Sequence, residues 1–446
     1  MRSALALAAE VRAGRASAVS LVQAVLADIA ARDGAIHACA HLFDERARRD
    51  ALRVDSLVRN GRDPGPLAGV PFLVKWNIDV AGYTTVAGSP ARAALPPAVA
   101  DAAMVSRLCA AGAVPVGATH MDELACGATG MNPHYGAVRL PADPARMTGG
   151  SSSGSAAAVA AGYVPLALGS DTNGSIRAPA ALCGVWGFRP SDGRLSRAGC
   201  LSYAESLDTV GGFANDIDDL ATLYDTLCDG PSLFSQPARD PGAPLRVAVL
   251  TGDFERQADA DVQRAVRGAA ACLRADDSVP IDSGEVAHVR EAAVVVSNVE
   301  LARAHRGLLD APAALVSERL RSRIAAGLAT SDAAYRDALA CRAAWRARVG
   351  ALFKRHDVLI AAATPYAAPC FTDAAVDVNG VALEPAKTLG LLTQPISFAG
   401  LPVVSAPCFV PGELPVGVQL IGTPQGDAVC FAAAQQFSAA WRDRRR

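Results

Sequence analysis

Two glycine–serine turns and one lysine bring together the residue types that serine chemistry needs. The turns are residues 149–155 (GGSSSGS) and 173–175 (NGS), inside the stretch 148–190. Each precedes small-residue, helix-competent sequence, and the apolar run 164–168 between them has the length of a buried strand. A serine at a helix start is held rigidly and faces the helix's free backbone N–H groups. That arrangement suits a nucleophilic serine with oxyanion stabilisation, and it suits phosphate binding as well. A serine hydroxyl also needs a base to become a nucleophile. Of the 42 basic side chains only Lys75, Lys354 and Lys387 are lysines, and Lys75 follows a run, 70–74, that should be buried. Burial disfavours the ammonium form, so a lysine there can accept a proton. The competing reading is a buried lysine paired with a carboxylate such as Asp79.

Other chemistries fit less well. His37 and His41 have H-x-x-x-H spacing with Cys39 between them, but the glutamate of H-E-x-x-H is missing, and we expect no metal site. The glycine-rich turn 149–155 lacks G-K-[ST] and a preceding strand, which argues against a nucleotide loop. Residues 150–154 match G-x-S-x-G literally. A nucleophile elbow needs a strand running into the serine, whereas 141–147 holds two prolines and no apolar run. The last histidine, His356, sits in polar surroundings. The match is accidental, and no cofactor is expected.

The elements that must position these residues follow from apolar periodicity. Residues 1 to about 60 are helical in pattern, and 70–74 reads as a buried strand. A helix over 102–111 and a strand over 114–117 follow, then the stretch 148–190. A loop-rich segment runs to Asp208, a helix covers 216–226, and 229–244 reads as a linker. Strands at 245–250 and 358–362 flank a mostly helical stretch, 258–352. Two antiparallel strands, 401–410 and 415–421, are joined by a turn, and a helix over 427–441 closes the chain. This alternation predicts an α/β fold: a central mixed β-sheet flanked by helices, in a single large domain with a helical insertion. Hydrophobic residues make up 51% of the 446, ample for such a core. A net charge of −2 gives no electrostatic case for nucleic acid or an anionic membrane as partner. The 11 scattered cysteines, without a C-x-x-C pair, suit free thiols in a reducing compartment. Glu10 and Arg12 interrupt the opening apolar segment, which therefore reads as an amphipathic helix instead of a secretory signal. A cytoplasmic protein is expected.

Residues 69–75 (GVPFLVK), 149–155 and 169–177 (GSDTNGSIR), with Pro179-Ala180 and Cys183-Gly184, together resemble the amidase signature family. The resemblance covers about 67–225 and resumes over 357–421. It implies one amidase signature domain over 1–446, with N-terminal helices (1–60), a catalytic core (67–225), a helical insertion (258–352) and a return to the core sheet (357–446). It also implies Lys75 as general base, Ser151 as a bridging serine in a cis peptide, and Ser175 as nucleophile. The N–H groups of Thr172, Asn173, Gly174 and Ser175 would form the oxyanion hole. Ala125 and Cys126 would line the pocket with Ser151, and Arg323 in the insertion would supply a cation for a carboxylated substrate. The sequence departs from the family at Asn173, where a glycine is usual, and at Ser153. Asparagine's tolerance of unusual backbone angles keeps the first of these feasible.

The motifs at 170–177, 182–187 (LCGVWG) and 390–400 are similar to amidases of the cyanuric acid degradation pathway. They imply a small, polar, urea-like amide as substrate, with ammonia released through an acyl-enzyme. They also imply a homodimer and a small accessory subunit. Ser153 and 135–139 (YGAVR) resemble allophanate hydrolase. The alternatives are a general aliphatic or aryl amidase, the glutaminase subunit of a tRNA-dependent amidotransferase, and a catalytically silent scaffold subunit. The intact Lys75, Ser151 and Ser175 argue against the last.

Overall fold

The structure is a computed structural model that describes residues 3–229, 244–410 and 412–444. The linker expected over 229–244 and the turn residue Pro411 fall almost wholly outside these. Among the described residues the core is a mixed sheet of 11 strands. Its order is Cys39–Leu42, Val114–Thr119, Pro71–Lys75, Leu166–Asp171, Thr209–Ala214, Trp186–Arg189, Val403–Pro407, Gly417–Gly422, Val358–Ala362, Val247–Gly252 and Asp277–Ile281. The interior strands are buried along their whole length because helices cover both faces. Two adjacent glycines mark the two layers. A side chain at Gly211 would come within 3.1 Å of Ile176, just ahead of helix Arg177–Cys183. One at Gly212 would come within 2.6 Å of Leu223 on helix Ile217–Leu227. Successive strand residues point to opposite faces, so these helices lie on opposite sides of the sheet.

Strand pairing sets the site. Pro71–Lys75 lies parallel to both Val114–Thr119 and Leu166–Asp171, with Val74 opposite Leu168. Lys75 and the Ser170-Asp171 pair therefore emerge at the same edge, the carboxyl ends of parallel strands. Strands Val403–Pro407 and Gly417–Gly422 form the expected antiparallel pair. Helix Ser283–His305 packs on both Glu318–Ala329 and Asp332–Leu352, and Ser283–His305 and Asp332–Leu352 also pack on helix Gln394–Ala399.

Four strands of the sheet depart from the sequence reading. Cys39–Leu42, inside the stretch 1–60 read as helical, pairs antiparallel with Val114–Thr119 at one edge, because His37 in a left-handed conformation ends the helix before it. Trp186–Arg189 and Thr209–Ala214 sit mid-sheet, yet glycines dilute the apolar signal of both (WGFR, TVGGFA). Asp277–Ile281, inside the stretch read as mostly helical, adds a parallel strand at the sheet's edge. Its Pro280 is tolerated there because an edge strand leaves one side unpaired.

Candidate active site

Lys75 ends its strand with its side chain fully buried. The ammonium nitrogen donates to Ser151 Oγ at 2.8 Å and to Ser170 Oγ at 2.9 Å. Asn77 Nδ2 donates to the same Ser170 hydroxyl at 3.1 Å. Burial pulls the lysine pKa down to about 7, although the carboxylates Asp122, Asp171 and Asp208 hold it up in part. Lys75 is therefore bonded to serines and not to Asp79, which instead accepts a hydrogen bond from Thr85 Oγ1.

The serines of the first turn are internal. Ser151, Ser152, Ser153 and Ser155 are all buried, and the Gly150–Ser151 peptide is cis. Ser152 Oγ donates to the Ser170 carbonyl at 3.1 Å, and Ser155 Oγ to that of Leu168 at 2.8 Å. Beneath the turn lies Asp122, whose carboxylate accepts from the Gly130 N–H at 3.1 Å. A Cβ at Gly150 would stand 1.9 Å from Asp122 Oδ2, so only glycine fits there. Burial raises the Asp122 pKa to about 6.

The second turn is built on Asp171. Its carboxylate accepts from the N–H of Gly174 at 2.9 Å, the N–H of Ile176 at 3.1 Å and Arg177 Nε at 3.0 Å. Arg189 lies 3.5 Å away. Burial pushes this carboxyl upward, but the two guanidinium groups prevail and hold it well below the usual range. Arg177 also donates to Gln419 Oε1 at 2.7 Å and to the Thr393 carbonyl at 3.0 Å. Gly174 has φ of +122°, and a Cβ there would lie 2.0 Å from Thr393 Oγ1. The two turns join where the Ser152 N–H donates to the Ser175 carbonyl at 3.2 Å.

Ser175 opens onto a cavity of about 290 Å³, which Thr172, Asn173, Ala125, Tyr203 and Arg323 also line. Arg323 Nη1 lies 3.4 Å from Asn298 Oδ1 and 3.5 Å from Tyr203 Oη. Four expectations need correction. Ser151 is fully buried and does not line the cavity that holds Ser175; its neighbour Gly150 does. Cys126 is buried and lines a neighbouring cavity of about 730 Å³, not the one that holds Ser175. The Gly174 N–H points back to Asp171 and so is already occupied. Asn173 keeps an ordinary backbone conformation, because Gly174 alone takes the positive φ in this turn. Its carbonyl accepts from Thr393 Oγ1 at 2.8 Å and its side chain donates to Ser297 at 3.3 Å.

Sequence reasoning missed Ser170, Asn77, Asp122, Asp171, Arg177 and Arg189, although Ser170, Asp171 and Arg177 lie inside the quoted motif. It also missed Arg290 and Arg319, which line the cavity and are hidden by the chain's abundance of arginine. Elsewhere, His37 caps a helix in a left-handed conformation, with its ring 4.1 Å from that of His120. Among the described residues no helix is long and apolar enough to cross a membrane.

A sequence profile of the Amidase family matches residues 20–431. The chain belongs to the amidase family. It is 43% identical over 440 residues to AtzE, a 1-carboxybiuret hydrolase subunit of Pseudomonas sp. (strain ADP), and the match covers 95% of each chain. It is 34% identical to a glutamyl-tRNA(Gln) amidotransferase subunit of Synechococcus sp. (strain WH7803), covering 96% of this chain and 94% of that one. Among solved structures, one from a vestigial protein complex bearing on the origins of an s-triazine catabolic enzyme superposes with a TM-score of 0.92. It is 41% identical, and 98% of each chain is covered. Another, a crystal structure of an amidase, gives a TM-score of 0.90 at 33% identity, covering 98% of this chain and 99% of that one. This amidase is accordingly a hydrolase of carbon–nitrogen bonds other than peptide bonds, with the mixed-sheet α/β fold of its relatives.

Proposed function

We propose that this amidase cleaves a small, polar, urea-like amide of the 1-carboxybiuret type through a Ser175–Ser151–Lys75 relay. The observation that carries the relay is the buried 2.8 Å hydrogen bond from Lys75 to Ser151, beside a turn tied directly to Ser175. A lysine with a pKa near 7 is neutral often enough at physiological pH to act as base. Ser175 Oγ attacks the amide carbonyl, and its proton passes through Ser151 Oγ to Lys75. The oxyanion accepts hydrogen bonds from the N–H groups of Thr172, Asn173 and Ser175, and Asp171 holds the turn in shape. Lys75 then returns the proton through Ser151 to the leaving nitrogen, and ammonia departs. Water attacks the acyl-enzyme by the same relay, which frees the carboxylic acid and restores Ser175.

The substrate class is supported by the relative that hydrolyses 1-carboxybiuret and by Arg323, a cation beside Ser175's cavity. In this reading 1–60, 67–225, 258–352 and 357–446 work as one catalytic domain, and 258–352 supplies a wall of the cavity. The working form is a homodimer with a small accessory subunit. Light scattering of the protein purified from its native host tests this, and a lone monomer there refutes it. An ammonia-release screen over biuret derivatives, allophanate, malonamate, glutamine and simple aliphatic and aryl amides tests the substrate. Fastest turnover of a carboxylated urea-like amide is expected. Glutamine turnover stimulated by tRNA and ATP in a partner complex would instead select the amidotransferase reading.

A further inference from the structure

Three arginines wall the cavity, Arg290, Arg319 and Arg323, and among the described residues none has a carboxylate within ion-pair distance. They are not clustered at one point. Arg290, Val294 and Asn298 fall at four-residue intervals on one face of helix Ser283–His305. Arg290 Nε donates to Gln394 Oε1 at 3.2 Å, while the Arg323 guanidinium sits against Asn298. Eight residues of helix separate these contacts by about 12 Å at the backbone. Arg319 lies one turn before Arg323 on helix Glu318–Ala329, so it reinforces the Arg323 pole. Val294, between Arg290 and Asn298 on the helix, lines the cavity too, and Ser175 opens onto the same space.

Arg290 and Arg323 are half-buried, whereas Arg319 is exposed. A half-buried guanidinium without a counter-ion carries a desolvation cost that an anionic ligand removes. Arg323 alone would meet the carboxylate of a monoanionic substrate. Hydrolysis changes that count. The amide nitrogen leaves as ammonia when the acyl-enzyme forms, and when water then displaces Ser175 a new carboxylate forms at the carbon that carried it. A carboxylated amide therefore enters with one anionic group and leaves as a dicarboxylate. We propose that the cavity is a two-pole anion site, with Arg319 and Arg323 at one end and Arg290 at the other, and that it binds small dicarboxylates as product-like ligands. The assignment rests on the hydrolase reading above and extends it by making Arg290 a second anion-binding residue.

Calorimetry with succinate and butyrate at fixed pH and ionic strength tests this without any variant. Succinate should bind at least about tenfold more tightly than butyrate, since one more charge-assisted contact is made. Equal affinity would overturn the proposal. Arg290→Gln and Arg323→Gln should each bring succinate down to the affinity of butyrate, with circular dichroism and Tm confirming that the variants fold. A folded Arg290→Gln that keeps the wild-type preference also overturns it. The two readings fail separately. Amide turnover without a dicarboxylate preference sinks the two-pole site alone, whereas a dicarboxylate preference without turnover of any amide sinks the substrate assignment alone.

Discussion

The two glycine–serine turns look alike in sequence and behave differently in the fold. In the first, every serine from Ser151 to Ser153 is fully buried, and Ser152 and Ser155 bond to carbonyls of the neighbouring strand. In the second, Ser175 reaches a cavity, and the turn is shaped by an internal carboxylate held between two arginines. In the proposed relay one turn conducts a proton inside the protein, and the other meets the substrate. Serine count and glycine spacing do not separate these roles. What separates them is which serine reaches the cavity and which is bonded to a lysine.

Substitutions can break this division of labour. The largest effect belongs to Ser175→Ala, which should lower kcat by at least about 10⁴-fold with Tm nearly unchanged. Lys75→Met should cost about 10³-fold or more and also remove the pH dependence, as stopped-time assays from pH 5 to 9 will show. In the wild type the neutral amine is the active form. Activity should therefore rise with pH through about 7, falling some tenfold per unit below it. Gly174→Ala places a methyl on Thr393 in a left-handed backbone, and a loss of about 10²-fold in kcat/KM is expected. The smallest effect sharpens the picture of the first turn. Asp122→Asn keeps the shape under Gly150 but removes a charge that favours the lysine's proton. The acid limb of the profile should then move to lower pH by less than about one unit, and a shift upward would contradict that role.

Much of this was legible in advance. Lys75 stood out because lysine is rare in the chain and because a buried run precedes it. The strand at Val358–Ala362 and the antiparallel pair after it were plain from apolar runs. What was not legible depends on direction, which spacing does not encode. The Gly174 N–H could face the cavity or Asp171, and the choice is made by a carboxylate three residues earlier. Cys126 adjoins Ala125 in sequence, yet it turns into a different cavity. Trp186–Arg189 is a strand because Thr209–Ala214 and Val403–Pro407 pair with it from either side. Arg290 and Arg319 could not be told from surface arginines until the helices that carry them were seen to wall the site.

The bond from Arg177 to Gln419 has a consequence for how the enzyme comes into being. Lys75, Ser151 and Ser175 all leave the ribosome early, but Gln419, which clamps the second turn from the far side, lies 242 residues after Arg177. Thr393 and Ser397, which close the rest of that arginine's shell, also arrive late. The catalytic turn therefore lacks its full support until these late residues have been made. A chain truncated ahead of the Gly417–Gly422 strand would carry every catalytic side chain and still be inactive. Activity should therefore appear only once that late strand has joined the sheet.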